Sequence, residues 1–178
     1  NPPWVNAWEM TDEDEEIRRV IENLMTIDGV LKSHWDLYVA FLLKAYSVTK
    51  KGKKFSFIIP NAVSREKYAN PLRKFLLEET RIDSITSFGE ENVFKGVSRQ
   101  TVVPVFTKDR PELDNHKVHV VDPTEVVPPS IAKNIEGESS KIPQKMFYHN
   151  VGYQIRHELS GEEFEILEKI DDSLKLGN

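Results

Sequence analysis

The stretch KKGKKFSFIIP, residues 50–60, joins a basic turn to a short apolar run. Gly52 is of the residue type that commonly ends a helix, and residues 55–59 combine aromatic and β-branched side chains before Pro60. This pattern predicts a turn followed by a buried strand over residues 55–60. Because a helical pattern precedes the turn, the order helix, turn, strand indicates an α/β fold.

Two helical patterns precede this unit. Residues 11–27 begin with Thr11 and a run of acids and then place apolar side chains at helical spacing, which predicts a capped helix. Residues 31–49 carry a broader apolar stripe, which predicts a second helix that packs against a sheet.

Further elements follow the strand at 55–60. Residues 61–64 lead into a helix predicted over 67–79, and residues 81–88 and 100–107 are predicted strands. The short connection between these strands predicts an antiparallel pair at the edge of an otherwise parallel sheet. Pro104 lies within the second strand and cannot donate a ladder hydrogen bond, so we expect a bulge or an early strand end there.

Beyond Lys108 the prolines at 111, 123, 128, 129 and 143 interrupt the pattern, and we expect few regular elements. Residues 117–121 form a short strand-like run and residues 136–141 an exposed loop. Residues 151–156 are a candidate strand, and a final helix is predicted over 160–174.

Composition narrows the possible functions. The chain has 178 residues, of which 39% are hydrophobic and 30% charged, with no apolar run long enough to span a membrane and no export signal. The absence of cysteine excludes disulfides and thiolate chemistry and agrees with a cytoplasmic protein. The histidines at 34, 116, 119, 149 and 157 match no zinc spacing. A net charge of −5 does not favour nucleic-acid binding, although the acidic run 12–16 accounts for part of it.

The first four residues, Asn1-Pro2-Pro3-Trp4, form a segment that we call the proline corner. Two prolines stiffen the backbone, so the Asn1 carboxamide oxygen and the Pro2 carbonyl form a candidate pair of converging acceptors. Such a pair suits the exocyclic amino group of a flipped base, with Trp4 as a stacking face. The alternative reading is an ordinary turn or polyproline segment.

The ordered series of parts resembles a known family. The proline corner is followed by Asp36-Leu-Tyr-Val-Ala-Phe-Leu-Leu-Lys-Ala, Gly52, a strand ending in Phe57-Ile-Ile-Pro, Leu72-Arg-Lys-Phe-Leu and Phe88-Gly-Glu-Glu-Asn-Val-Phe with Thr101-Val-Val-Pro-Val-Phe. This series, over about residues 1–108, is similar to the gamma-type amino-methyltransferases of DNA. Adenine-N6 methylases of type II, and especially type IIG, restriction–modification systems are the nearest likeness.

The resemblance implies a partial Rossmann-like class I methyltransferase sheet with flanking helices, and S-adenosylmethionine as methyl donor. It assigns Asn1 and Pro2 to the adenine amino group, Pro3 to stiffening the loop, and Trp4 to stacking on a base flipped out of double-stranded DNA. Phe94 matches a second aromatic residue on the other side of the base, or packs in the core. The same resemblance implies a prokaryotic cytoplasmic protein.

The chain also departs from the family pattern. Its glycines make no G-x-G-x-x-G donor loop. We therefore expect a catalytic part at residues 1–108 that lacks a complete donor site and is inactive alone. Residues 109–178 are expected to be an extension towards a target-recognition domain. Because its supporting strand and donor site would precede residue 1, we expect the proline corner to be poorly anchored.

Two alternatives to the leading hypothesis remain. One keeps methyl transfer but changes the acceptor to cytosine N4, RNA or a protein glutamine, since any planar amino or amide group suits the same corner. The other is a non-catalytic scaffold or interaction module, which the negative charge and the absent donor loop favour. The recognised DNA sequence, a nuclease in the parent protein and the oligomeric state are not encoded in these patterns.

Overall fold

A computed structural model describes residues 1–6, 10, 15–24, 35–88, 93, 99–112, 115–123 and 137–157, and the single residues 162, 163, 166 and 169. Within these ranges the helices are α1 (Glu15–Leu24), α2 (Leu37–Val48), α3 (Ala62–Arg65), α4 (Asn70–Glu79) and α5 (Met146–His149). Two 3-10 turns lie at Lys67–Ala69 and Val151–Tyr153. In that described part no helix is long and apolar enough to cross a membrane.

The helix predictions hold for the described residues, with shifted ends. The helix predicted over 11–27 is confirmed at 15–24, and the rest of its range lies outside the described residues. The second helix begins only at Leu37, because Asp36 before it has extended backbone angles. Residues 62–65, expected to be a lead-in, form a helical turn. The helix predicted over 67–79 is confirmed from Asn70, with Pro71 in its first turn, where no amide hydrogen is needed.

The strands form one six-stranded sheet. They are β1 (Lys54–Ser56), β2 (Ile59–Pro60), β3 (Arg81–Ser87), β4 (Thr101–Thr107), β5 (Lys117–Pro123) and β6 (Gly137–Pro143). The order is β1-β4-β3-β5-β6, and β2 also pairs with β4. The mixed α/β class is therefore confirmed.

The predicted strand pair is confirmed, but its position in the sheet is not. β3 and β4 pair in antiparallel register, as expected. The hairpin does not lie at the edge, because β1 and β2 cover the other side of β4 and β5 pairs in parallel with β3. The sheet is consequently mixed: β4 and β6 run opposite to the other strands.

Pro104 does not end its strand, because β4 continues on both sides of it. The interruption falls on the facing chain, which pairs with β4 through Ser56 and again from Ile59 but leaves residues 57 and 58 unpaired. Proline has no amide hydrogen to donate at this point of the ladder. The carbonyl oxygen of Pro104 accepts from the Ser56 hydroxyl at 2.8 Å. The single strand predicted over 55–60 is thus two short strands.

The expected bulge is also present, but in β3. The register between β3 and β4 shifts between Ile82 and Ser84, which leaves Asp83 out of the ladder. Its carboxylate accepts from the Lys54 ammonium at 2.8 Å and the Arg81 Nε at 3.0 Å. It also accepts from the Thr107 hydroxyl at 2.6 Å. Three donors from three strands therefore stabilise the bulge.

The expectation of few regular elements after Lys108 is wrong. β5 is longer than the run predicted at 117–121, and β6 occupies the supposed loop at 136–141. The two strands pair along seven residues each. Residues 151–156 are not a strand, because their first three residues form a 3-10 turn. Of the predicted final helix, only the isolated residues 162, 163, 166 and 169 are described, and they are helical.

The hydrophobic core lies between the sheet and the helices. It combines side chains of α2 and α4 with the inward residues of the strands. Phe55 stacks on Phe106 with ring centroids 5.2 Å apart. Tyr46 of α2 meets Phe75 of α4 edge to face at 4.8 Å. Tyr46 also meets Phe55 of β1 edge to face at 6.4 Å, which links α2 to the sheet.

Candidate functional site

The proline corner is partly exposed and partly packed. Asn1 and Pro3 are exposed, whereas Pro2 is buried. Trp4 is half-buried and packs against the hydrophobic core. The corner therefore leaves the Asn1 side chain accessible while Pro2 and Trp4 hold it to the protein.

The residues after the corner attach it to the start of α2. The Leu37 amide donates to the Val5 carbonyl oxygen at 2.8 Å. Asn6 and Asp36 form an antiparallel bridge. The expectation of a poorly anchored corner is therefore wrong for the side that follows Trp4, because backbone pairing and burial hold it against the first turn of α2.

A chain of hydrogen bonds continues from Asp36 into the protein. The Tyr68 hydroxyl donates to the Asp36 carboxylate at 2.9 Å and lies 2.8 Å from the Tyr38 hydroxyl. Asp36 and Tyr38 are buried. Burial raises the pKa of Tyr38 and of Tyr68 well above the usual tyrosine range. Both phenols stay protonated, so Tyr38 donates to Tyr68 and Tyr68 donates to Asp36.

A cavity of about 370 Å³ lies at the edge of the sheet where β2 ends and β4 begins. It is lined by residues 60–62, 65, 66, 99 and 100. The backbone amide of Asn61 donates to the Gln100 carbonyl oxygen at 2.8 Å, which joins two of the lining residues. In α/β sheets, ligands characteristically bind outside the carboxyl ends of the strands, where β2 ends here.

The cavity wall is fixed by two side chains from distant parts of the sequence. His157 is buried, and its Nε2 lies 3.1 Å from the Asn61 side-chain oxygen. Arg73 donates to the carbonyl oxygens of Val63 at 2.9 Å and Glu66 at 2.7 Å. It also donates twice to the Gly152 carbonyl oxygen, at 3.0 and 2.8 Å. These contacts join α3 and its following turn to residues 152–157.

Tyr68 connects the cavity with the proline corner. It follows the cavity residues Arg65 and Glu66 by two or three positions and bonds to Asp36 below the corner. This hydrogen bond links the turn after the cavity residues to Asp36, which bridges to Asn6 just after the corner. Sequence reasoning found the corner but missed Asp36, Tyr38, Tyr68 and His157 as a supporting set.

One predicted site residue is not placed relative to the corner. Phe94 lies outside the described residues. Among the residues that the structure describes, no three histidine, aspartate or glutamate side chains gather into a metal-binding group. The described site therefore consists of an exposed Asn1 and a half-buried Trp4 at the start of the chain segment that is anchored on α2.

The model of one protein family, described as Eco57I restriction-modification methylase, matches residues 1–94. The chain belongs to this family. The matched part contains the proline corner, α2, the Tyr68 network and the helical wall of the cavity. The likeness to restriction–modification methylases that the sequence predicted is therefore confirmed.

Individual members extend the match beyond residue 94. The type II methyltransferase M.HincII of Haemophilus influenzae is 30% identical over 146 residues, which is 81% of this chain. The chain spans about 28% of the length of that curated relative. This Eco57I-family chain thus corresponds to a minor part of a much longer methyltransferase.

Solved structures agree with the fold of this family member. The type IIG restriction endonuclease BpuSI matches with a TM-score of 0.62 and 21% identity over 89% of this chain and 20% of its own. A type I restriction–modification methyltransferase subunit from Streptococcus thermophilus matches with a TM-score of 0.53 and 17% identity over 76% of this chain and 34% of its own. The sheet is therefore the Rossmann-like sheet of restriction–modification methyltransferases.

Proposed function

We propose that this chain forms the base-accepting part of a DNA methyltransferase that methylates the N6 amino group of adenine within a prokaryotic, cytoplasmic restriction–modification system. The observation that supports this most directly is the proline corner of an Eco57I-family member, with Asn1 exposed and the residues after Trp4 anchored on α2. An accessible carboxamide on an anchored backbone is what a positioned acceptor requires.

The chemical role of the proline corner follows from the chemistry of the amino group that receives the methyl group. The lone pair of an adenine amino nitrogen is delocalised into the ring, so the nitrogen is a poor nucleophile. We assign the Asn1 side-chain oxygen and the Pro2 carbonyl to the two N–H bonds, which favours a pyramidal nitrogen with an available lone pair. This interaction is stronger in the transition state than in the ground state, and so it accelerates the reaction.

S-adenosylmethionine, when bound, supplies the methyl group. That donor would supply an electrophilic methyl group and leave as a neutral thioether, and the proton displaced from the amino nitrogen would pass to water. The part of this chain is to hold the amino group in line for that displacement. Pro3 stiffens the backbone beside Asn1, which keeps its oxygen in place.

The flipped base needs faces to stack on. We assign this role to Trp4, whose half-buried ring packs on the core and retains exposed surface. Phe94 is proposed for the opposite face of the base. Stacking offsets part of the few kcal/mol that flipping costs.

The donor site is proposed to lie outside this chain. The sequence contains no G-x-G-x-x-G loop, and curated relatives are several times longer. We accordingly propose that residues 1–108 contribute the catalytic part and residues 109–178 an extension towards target recognition, although β5 and β6 continue the same sheet. Calorimetry of this chain alone with S-adenosylmethionine should detect no binding, and tight binding would contradict this division.

The reaction is tested with the full-length protein. The protein is incubated with methyl-labelled S-adenosylmethionine and, in parallel, with double-stranded DNA, RNA and protein, and the labelled products are digested and separated. Label in N6-methyladenine from DNA is expected. Label in N4-methylcytosine, RNA or glutamine would identify the alternative acceptor, and no transfer to any of them would favour the scaffold hypothesis.

A further inference from the structure

The cavity at the edge of the sheet presents a group of polar side chains that the methyl-transfer reaction does not use. Arg65 and Arg99 both line it, one at the end of α3 and the other just before β4. Asn61 and Gln100 line it as well, with their side-chain amides 3.5 Å apart. Two guanidinium groups and two amides provide several hydrogen-bond donors around one space.

Among the described residues that line the cavity, arginine outnumbers glutamate. Its one lining carboxylate is Glu66, set against Arg65 and Arg99. The buried guanidinium of Arg73 lies behind this wall and bonds to the Glu66 carbonyl oxygen at 2.7 Å. Two guanidinium groups that line one concavity provide a place where an anionic group would bind.

We propose that this cavity binds a backbone phosphate of the DNA strand, with Arg65 and Arg99 as its cationic donors. This inference rests on the proposed function, because it takes DNA as the substrate. A volume of about 370 Å³ exceeds one phosphate and accommodates the attached sugar. Through Tyr68 and Asp36 the cavity is connected to the proline corner, so a phosphate held here fixes the strand relative to the corner.

The experiment measures DNA binding by the full-length protein in a salt series. Fluorescence anisotropy with a labelled duplex gives Kd between about 50 and 200 mM salt. The double variant Arg65→Ala/Arg99→Ala is compared with wild type and with Arg110→Ala. Arg110 is the matched control, because it is exposed and follows the opposite end of β4, where it pairs with Glu79 at 2.7 Å. The single variants Arg65→Ala and Arg99→Ala separate the two contributions. Because both side chains are exposed, their removal should leave the fold intact, so weaker DNA binding would not be due to misfolding.

Loss of one phosphate contact should reduce the slope of log Kd against log salt by about 0.9 and weaken binding at low salt by about tenfold. The control should retain the wild-type slope, and inorganic phosphate should compete with DNA more weakly in the double variant than in wild type. The proposal is overturned if the double variant and the control bind alike while wild type still methylates adenine, which leaves the proposed function intact. If wild type neither binds nor methylates DNA, the proposed function fails and this proposal fails with it.

Discussion

Arg73 is the side chain whose replacement tests the architecture of the site most sharply. It is 1% exposed and donates to the carbonyl oxygens of Val63, Glu66 and Gly152, which belong to segments far apart in sequence. Burial lowers the pKa of its guanidinium, although the charge of Glu66 opposes this effect. The planar fork of arginine serves acceptors on two sides at once, and a lysine ammonium cannot.

Arg73→Lys keeps the charge but loses one side of the fork. Each hydrogen bond from a charged donor contributes roughly 1.5–3 kcal/mol, so the variant should lose about 2 kcal/mol of unfolding free energy, and Arg73→Ala about 4 kcal/mol. Urea unfolding followed by the fluorescence of the buried Trp35 measures the change, with the m value as a check on two-state behaviour.

The exposed Arg110→Lys provides the control, and its unfolding midpoint should equal that of wild type. A loss below about 0.5 kcal/mol for Arg73→Lys would refute the reasoning, because that is the range of an ordinary surface substitution.

Three further outcomes are expected. Tyr68→Phe removes the hydroxyl donor of the Asp36 carboxylate and should cost about 1–3 kcal/mol in thermal unfolding; an unchanged midpoint would contradict the network. Gly152→Ala and Gly52→Ala, at φ of +64° and +73°, should each destabilise by about 1 kcal/mol, because an L side chain is strained in this left-handed region whatever the space around it; unchanged unfolding midpoints would contradict this. Burial tends to raise the pKa of Asp83, but hydrogen bonds from its three donors outweigh burial and lower that pKa. The Asp83 carboxylate therefore stabilises the fold fully above its unfolded pKa of about 3.9, and this contribution is lost as pH falls through its pKa in the folded protein. Asp83→Asn should therefore show a smaller loss of unfolding free energy in acid than wild type. An unchanged loss would contradict this.

The parts of the fold that the sequence predicted are those with strong local patterns. α2, α4, β3 and β4 are rich in apolar residues; α4, β3 and β4 were placed within three positions, whereas α2 ends within one position of its predicted end but begins six positions late. β6 has no such pattern, since GESSKIP contains only one β-branched apolar residue, Ile142. It is a strand because all seven of its residues pair with β5, and a tertiary pairing of this kind overrides local propensity.

In the candidate site, too, local features were predictable and long-range contacts were not. The proline corner was recognisable because its residue types are adjacent in sequence. The hydrogen bond between Tyr38 and Tyr68 joins residues 30 positions apart, and that between His157 and Asn61 joins residues 96 apart. Contacts at such separations follow from how the helices pack on the sheet, and no local pattern encodes them. Pro104 was only partly predictable. The sequence shows that it lacks a backbone donor, but not that the unpaired residues would lie in the neighbouring chain between β1 and β2.

The central claim, that the Asn1 carboxamide accepts the target amino group, is tested most directly by single-turnover methyl transfer with the full-length protein. Asn1→Ala removes the acceptor from an exposed position, and Asn115→Ala removes an equally exposed carboxamide in a turn after β4. The account predicts that Asn1→Ala slows transfer to adenine N6 by about 100-fold or more while DNA binding persists, and that Asn115→Ala has the wild-type rate. A rate for Asn1→Ala within about threefold of wild type would contradict the claim.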